Sequence, residues 1–235
     1  MGNEEFDSSF DLAVVDRLLM TTRAVWRRLD LTRPVDRSLI VECLRLASYA
    51  PTRSNTQAYR WIVVDDPDLR RRVGEIYRGY LEPRFLARAD DAPPSDAGQA
   101  RLKDATLYLA QHMADVPVLV LPCYDLGHTA EHYKRDDVSL EKLRDSNRQM
   151  NANYASLYPA VWSFMLACRS RGLGTTTTTA HTQDAKTEDA MRKLLGIPSE
   201  WIQSCLLPVA HITGGDLTAP ERRPVEELVV WNGNY

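Results

Sequence analysis

Residues 154–171 most strongly restrict the fold of this chain. Apolar side chains fill most of the stretch, and on a helix they would occupy most of its circumference. These side chains are Leu157, Tyr158, Ala160, Val161, Trp162, Phe164, Met165, Leu166, Ala167 and Cys168. Gly172 and Gly174 follow and provide a stop signal. We therefore expect a helix buried on most sides, either in the core of one domain or along the axis of a dimer.

The remaining pattern alternates between helical and strand-like segments. Further helices are predicted over residues 10–22 with a cap at 7–9, 35–49 with Asp36 as cap, 68–80, 99–114 and 187–195. Strands are predicted over residues 60–65, 116–124, 175–179, 201–212 and 225–231. Loop composition marks residues 82–98, and residues 125–150 are polar with a helical tendency from 139 onward. This order predicts an α/β or α+β fold, with one mixed sheet of four or five strands flanked by helices.

Composition excludes several classes of protein. The chain has 235 residues and a net charge of −3, which gives no field that attracts nucleic acid or an anionic membrane. No apolar run reaches the length of a membrane span, and the acidic N-terminus lacks the apolar core of a signal peptide, so we expect a cytoplasmic protein. Four isolated cysteines in apolar surroundings are expected to be buried reduced thiols.

Common catalytic motifs are absent from the sequence. It contains no GxGxxG motif after a strand, no P-loop and no G-x-S-x-G motif. Its five histidines show no metal-binding spacing, so no metal site is predicted. His128 and His132 are interpreted as solvated polar residues.

Four polar segments remain as candidates for a ligand site. They are Arg23 and Arg27, the loop from Ala50 to Tyr59, the threonine run 175–179, and Arg222–Arg223. Guanidinium groups, hydroxyls and backbone amides together suit a polar, partly anionic ligand. Taken singly, each segment also fits an ordinary turn, surface arginines or a plain edge strand.

In their order and spacing, these segments resemble the flavin-dependent nitroreductase family over nearly the whole chain. The family's Arg-Arg-Ser-Val-Arg-x-Phe motif corresponds to Arg23–Leu29, and its Ala-Pro-Ser-x-x-Asn-x-Gln-Pro-Trp motif corresponds to Ala50–Tyr59. Gly-Leu-Gly matches residues 172–174, and the family's last strand and Arg-Lys-Pro segment correspond to 208–211 and 222–227. The threonine run and the Arg-Arg-Pro segment are most similar to the iodotyrosine-deiodinase branch, although that branch's lid motif is not seen.

The resemblance implies an FMN site made from residues of both subunits. Arg23 and Arg222 would hold the phosphate, and Arg27 would lie near the pyrimidine N1–O2 edge. Pro51, Thr52, Arg53 and Asn55 would approach from the other subunit, whereas Thr177, Thr178 and Thr179 would lie along the isoalloxazine. Ala24 and Val25 belong to the phosphate-binding segment but replace an Arg or His and a Ser, so one hydroxyl contact is missing. Ala58 replaces a Pro.

The resemblance also implies a fold, an assembly and an activity. We expect a single nitroreductase-like domain over residues 1–235, with a lid or insertion at about 80–150, in an intertwined homodimer. The implied activity is reduction of nitroaromatics, quinones or similar flat small-molecule acceptors, with NADPH or NADH as donor, in a ping-pong scheme without a protein nucleophile. Alternatives are a deiodinase-like dehalogenase, a flavin-fragmenting enzyme or an enone reductase on the same fold, or a non-catalytic flavin-binding protein.

Overall fold

A five-stranded sheet lies between two layers of helices in the computed structural model, which describes residues 9–89, 97–132 and 147–233. The helices are α1 (Leu12–Thr21), α2 (Arg37–Ala47), α3 (Pro67–Ala89), α4 (Ala97–His112), α5 (Leu126–His132), α6 (Asn147–Ser170) and α7 (Ala185–Leu195). The strands are β1 (Tyr59–Val64), β2 (Val118–Asp125), β3 (Leu173–Thr175), β4 (Trp201–Gln203) and β5 (Leu207–His211).

Strand β2 is the centre of the sheet. One of its edges pairs with β1 from Val64↔Leu119 to Tyr59↔Tyr124, and its other edge pairs first with β5 and then with β4. β3 extends the sheet beyond β5. Pro122 lies at the gap between the β5 and β4 pairings, where its missing N–H has no ladder bond to make. All pairings of the described strands are antiparallel, where a mixed sheet was predicted, so the fold belongs to the α+β class.

The two faces of β2 supply two separate hydrophobic cores. Val118 and Val120 pack with α2 and α6 on one face, whereas Leu119 and Leu121 pack with α3, α4 and α7 on the other. This alternation follows from the two-residue period of a strand. A helix–sheet–helix sandwich is the result, which confirms the predicted sheet flanked by helices.

Helix α6 is longer than predicted and is buried on most of its circumference. Leu157, Phe164 and Cys168 are inaccessible to solvent, as the sequence pattern indicated. Tyr158 and Trp162, which are one helical turn apart, remain 37% and 40% exposed. The helix therefore fills the core with one side and leaves an aromatic stripe open on the other. In the part of the chain that the structure describes, no helix combines the length and apolarity needed to cross a membrane.

Local signals identify several helix ends correctly. The Asp36 carboxylate accepts a hydrogen bond from the Ser38 backbone N–H and caps α2 as predicted. Gly196 ends α7 in the left-handed conformation, with φ of 62°. The four cysteines are buried free thiols, as expected, and burial raises the pKa of Cys123 to about 12.

The N-terminal half departs from the prediction in two places. α1 is capped by Asp11 rather than by residues 7–9, because the Asp11 carboxylate accepts the Val14 N–H. α3 continues through Pro83 to Ala89, where a loop was predicted from residue 82. Leu81 and Phe85 extend its apolar face onto the second core, and their burial outweighs the lost hydrogen bond of the proline.

Three predicted strands differ in the C-terminal half. Only Thr175 of the threonine run belongs to a strand, and beyond it only Thr178 forms a bridge, with Leu206. The predicted strand 201–212 is interrupted at 204–206. The predicted strand 225–231 is also wrong: residues Val225–Glu227 form a 3-10 turn, and the side chains from 221 to 233 are exposed. High β propensity has no effect at the tail because no strand of the described chain lies beside it.

Two glycines of α3 provide a test of this packing. A Cβ at Gly74 would lie 2.7 Å from the backbone nitrogen of Ala114, whereas a Cβ at Gly79 would meet nothing within 4 Å. We expect Gly74→Ala to lower the free energy of unfolding by about 1–3 kcal/mol. Gly79→Ala, the matched control, should raise it by about 0.5–1 kcal/mol because alanine is the better helix former. Urea unfolding measures both, and equal effects would contradict the close approach of α3 to residue 114.

Candidate functional site

The segment after α1 is fixed to the edge of the sheet by its backbone. The Val25 N–H donates to the Thr175 carbonyl at 3.0 Å, and the Asp30 N–H donates to the His211 carbonyl at 2.8 Å. Val25 and Leu29 are each 4% exposed and pack against Gly174, where a Cβ would come within 3.0 Å of both side chains. This arrangement holds Arg23 and Arg27 at the surface beside β3.

A cavity of about 360 Å³ brings together residues from both ends of the chain. We call it the Arg23–Arg222 cavity; it is lined by Thr22, Arg23, Ala24, Tyr158, Val161, Trp162, Met165, Thr176, Thr177 and Arg222. The described residues that line it include two arginines and no carboxylate. Two guanidinium groups beside threonine hydroxyls suit an anion such as a phosphate, and the apolar wall from α6 suits the non-polar part of a ligand.

A second cavity of about 290 Å³ shares Arg23 and Ala24 with the first. We call it the Arg27 cavity; it is also lined by Val25, Trp26, Arg27, Arg28, Ala105, Leu217 and Thr218. Arg28 donates to the carbonyls of Thr213 at 2.7 Å, of Asp216 at 3.3 Å and of Gly215, so it holds a loop. The Arg27 guanidinium instead lies 2.7 Å from the Asp104 carboxylate of α4.

An ion-pair cluster fixes the loop beneath the Arg27 cavity. The Asp216 carboxylate accepts from Arg169 of α6 at 2.7 Å and from Arg17 of α1. These two guanidinium groups lower the pKa of Asp216 to about 2. Residues Leu217 and Thr218 are thereby held in position at the cavity wall.

The threonine run divides between the cavity, the protein interior and the outer surface, where Thr179 is exposed. Thr177 is exposed and lines the Arg23–Arg222 cavity. The Thr178 hydroxyl lies 2.8 Å from the Tyr77 hydroxyl, whose pKa burial raises to about 12. The Thr179 hydroxyl accepts from the Gln183 side-chain amide at 3.4 Å, and its carbonyl accepts the Thr182 N–H. Among the three threonines predicted to contact a cofactor, Thr177 therefore lies in the cavity, and the roles of Thr178 and Thr179 stay predictions.

The loop from Pro51 to Gln57 lies outside the linings of both cavities and has an unusual backbone. Ser54, Asn55 and Gln57 have positive φ values of 49°, 53° and 48°. The Arg53 N–H donates to the Ser156 hydroxyl of α6 at 3.1 Å, and the Thr52 hydroxyl accepts the Gln57 N–H at 3.2 Å. Non-glycine residues with positive φ concentrate at functional sites. The assignment of Pro51, Thr52, Arg53 and Asn55 to a second subunit's cofactor stays a prediction.

Several cavity residues were not identified from the sequence. Thr22, Val161 and Met165 line the Arg23–Arg222 cavity together with Tyr158 and Trp162, and Thr176 lines it within the threonine run that was a candidate as a whole. The α6 residues of this lining are apolar or aromatic, and the sequence of a mostly buried helix does not indicate which side faces a ligand. His128, expected to be solvated, is half-buried and has its Nε2 2.8 Å from the Thr56 carbonyl. For His132, the side chain lies outside the described part of the structure.

His181 follows the threonine run and is completely buried. Neither ring nitrogen has a hydrogen-bond partner among the described residues, and burial lowers the pKa of the imidazole to about 4. The ring is therefore neutral at pH 7.

Known proteins match this chain in sequence and in fold. The nitroreductase family model matches residues 20–211. Iodotyrosine deiodinase 1 of Rattus norvegicus is 25% identical over 201 residues, which are 85% of this chain and 63% of that protein. The chain thus spans about three fifths of the length of the curated relatives it matches.

Solved structures with the same fold include an iodotyrosine deiodinase and a nitroreductase. Oxidized iodotyrosine deiodinase bound to FMN and 3-iodo-L-tyrosine is 18% identical, with a TM-score of 0.62 over 93% of this chain and 98% of that chain. The NfrA1 nitroreductase from B. subtilis is 16% identical, with a TM-score of 0.65 over 93% of this chain and 73% of that chain. At these identities the similarity shows the shared fold.

Proposed function

Because the chain belongs to the nitroreductase family, we propose that it binds FMN and acts as an FMN-dependent NAD(P)H oxidoreductase on a flat small-molecule acceptor. The observation that carries the proposal is that Arg23 and Arg222, 199 residues apart in sequence, line one cavity to which no described residue contributes a carboxylate. A phosphate is the part of FMN that such a pair of guanidinium groups would bind.

Each group of lining residues has a distinct part in the proposed site. Arg23 and Arg222 would bind the phosphate, with the Thr177 hydroxyl beside them. Arg27, in the adjoining cavity, would place a positive charge near the flavin ring system. Ala24 and Val25 offer no side-chain hydrogen bond, and the Val25 N–H is already donated to the Thr175 carbonyl, so only their remaining backbone groups are available to the ligand.

Replacing Arg222 tests the phosphate assignment. We expect Arg222→Ala to weaken FMN binding roughly ten- to hundredfold, because a charge-assisted hydrogen bond contributes about 1.5–3 kcal/mol. Arg223→Ala, the neighbouring exposed arginine that lines neither cavity, should bind FMN like the wild type. Fluorescence titration of flavin-free protein measures both constants. Equal losses in the two variants would remove Arg222 from the site, and a wild type that binds no FMN would overturn the proposal.

The exposed apolar surfaces support a homodimer. Leu12 and Val14 of α1 are 64% and 62% exposed, and Trp231 of the tail is 79% exposed. No side chain of α1 is fully buried in this chain, and Tyr158 and Trp162 add to the open apolar surface. Contiguous exposed apolar surface is typical of a protein–protein interface. The Pro51–Gln57 loop lies outside both cavities and most of its residues are exposed, so it would then reach the partner's site.

Sedimentation velocity tests the dimer. At micromolar concentration we expect a single species at twice the chain mass of 26.7 kDa. Truncation after Arg223, which removes the exposed apolar tail, should shift the population toward monomer because it removes part of the buried interface. A wild type that sediments as a monomer would contradict the assembly and, with it, the assignment of residues 51–55 to a shared site.

The proposed reaction requires little chemistry from the side chains. Bound FMN would take up two electrons from NADH or NADPH and deliver them to a nitroaromatic, quinone or similar acceptor. The protein binds the phosphate through its arginines, supplies charge through Arg27 and provides the apolar wall of α6. Because the flavin would carry the electrons and the side chains would only bind and position it, no nucleophile motif is needed, and the sequence contains none.

Steady-state kinetics test the order of events. With NAD(P)H and a nitroaromatic varied together, we expect parallel double-reciprocal lines, because donor and acceptor would use the site in turn. Intersecting lines would indicate a ternary complex and would contradict the ping-pong scheme. Purified protein that holds FMN but whose flavin absorbance is not bleached by NADH or NADPH would instead support a non-catalytic flavin-binding protein.

A deiodinase-like dehalogenase is the second candidate. Its support is that the curated relatives matching 83–85% of the chain are iodotyrosine deiodinases at 24–25% identity. Release of iodide from 3-iodo-L-tyrosine by the chemically reduced holoprotein, measured against a nitroaromatic under the same conditions, discriminates the two. Iodide release without nitroaromatic reduction would favour the dehalogenase.

A further inference from the structure

We propose that Asp104 of α4 is a positioning residue that fixes Arg27 and lowers the midpoint potential of the bound flavin. This inference rests on the proposed FMN site. Arg27 is the cation expected at the ring system, and Asp104 is the carboxylate that the structure pairs with it. Asp104 therefore sets both where this positive charge lies and how much of it acts on a ligand.

Two side chains of helix α4 contact the Arg27 guanidinium. The Asp104 carboxylate lies 2.7 Å from Nη2, and the Tyr108 ring centroid lies 4.7 Å from Cζ. Residues 104 and 108 are one helical turn apart and share a face. Ala105, next to Asp104, lines the Arg27 cavity together with Arg27 itself. The ion pair thus lies at the cavity wall.

Neither of the other two arginines that line this cavity is paired with Asp104, so Arg27 is the cation on which Asp104 acts. Arg28 is committed to three loop carbonyls. Arg23 makes no side-chain hydrogen bond or ion pair to another described residue and also lines the Arg23–Arg222 cavity. Asp104 bonds to Arg27 alone among the described side chains, so removal of its charge changes one ion pair.

The charge of Asp104 acts against reduction of the flavin. Negative charge gathers at the pyrimidine edge when FMN is reduced, and a nearby cation stabilises that form more than the oxidised form. A carboxylate in contact with the cation offsets part of this stabilisation. Both members of the pair are more than half exposed, so solvent screening keeps the effect modest.

Asp115 provides a matched control. It follows α4, is similarly exposed, and its carboxylate lies 3.1 Å from the His112 Nδ1 atom. The His112 ring in turn lies 4.3 Å from the Tyr108 ring. Asp115 is therefore linked through His112 to Tyr108, but no contact joins it to Arg27 among the described residues. Asp115→Asn thus tests the effect of removing a surface charge that is not paired with Arg27.

The experiment measures the midpoint potential of the bound flavin in the purified, FMN-loaded protein. We expect Asp104→Asn to favour reduced over oxidised FMN about two- to fivefold relative to wild type. For a two-electron couple this is a rise of about 10–20 mV, at ~30 mV per tenfold change. The shift should shrink at high salt. Asp115→Asn should leave the potential at the wild-type value.

Arg27→Gln completes a double-mutant cycle. It should lower the potential, and Asp104→Asn should then give a smaller rise than in the wild-type background, because only the direct field of the carboxylate remains and no cation is left for Asp104 to position. An unchanged potential in Asp104→Asn with FMN still bound would overturn this inference alone, as would a rise of equal size in the Arg27→Gln background. Failure of the wild type to bind FMN would overturn the proposed function and this inference together.

Discussion

The backbone hydrogen bond from the Val25 N–H to the Thr175 carbonyl is the constraint on which the site depends. It joins the segment after α1 to the end of β3. The contacts of Val25 and Leu29 with Gly174 keep this segment close to β3. Because this segment also bonds to residue 211, it spans the edge of the sheet. Arg23 and Arg27, on either side of the buried Val25, are thereby held at the two adjoining cavities.

Local signals in the sequence were sufficient for the central elements and insufficient at the ends. The cap at Asp36, the β-branched run of β1 and the apolar circumference of α6 each depend on neighbouring residues, which a sequence displays directly. Pro83 and the tail depend on what lies beside them in space. Burial of Leu81 and Phe85 keeps α3 helical through the proline, and the tail, without a neighbouring strand, does not form one. Tertiary context decides such cases against local propensity.

The candidate site was partly predictable for a different reason. Arg23, Ala24, Thr177 and Arg222 were identified through a family resemblance, and they line one cavity. Composition and periodicity alone left each of them open to a trivial explanation. The α6 stripe of Tyr158 and Trp162 escaped notice because an aromatic residue on an apolar helix carries the same pattern whether it faces a core, a partner or a ligand. Only the packing of the other faces distinguishes these.

The chain's departure from the family motif at Val25 has a structural counterpart in Thr177. The family's serine at this position would carry a hydroxyl, but Val25 is 4% exposed and packs on Gly174, so its side chain serves the core. Thr22 also lines the cavity, yet its hydroxyl already donates to the Leu18 carbonyl at 2.6 Å. Thr177 is exposed, lines the same cavity and makes no side-chain hydrogen bond to another described residue. In the proposed site its hydroxyl is therefore a donor available in the cavity that Arg23 and Arg222 also line, where the serine of the family motif is missing.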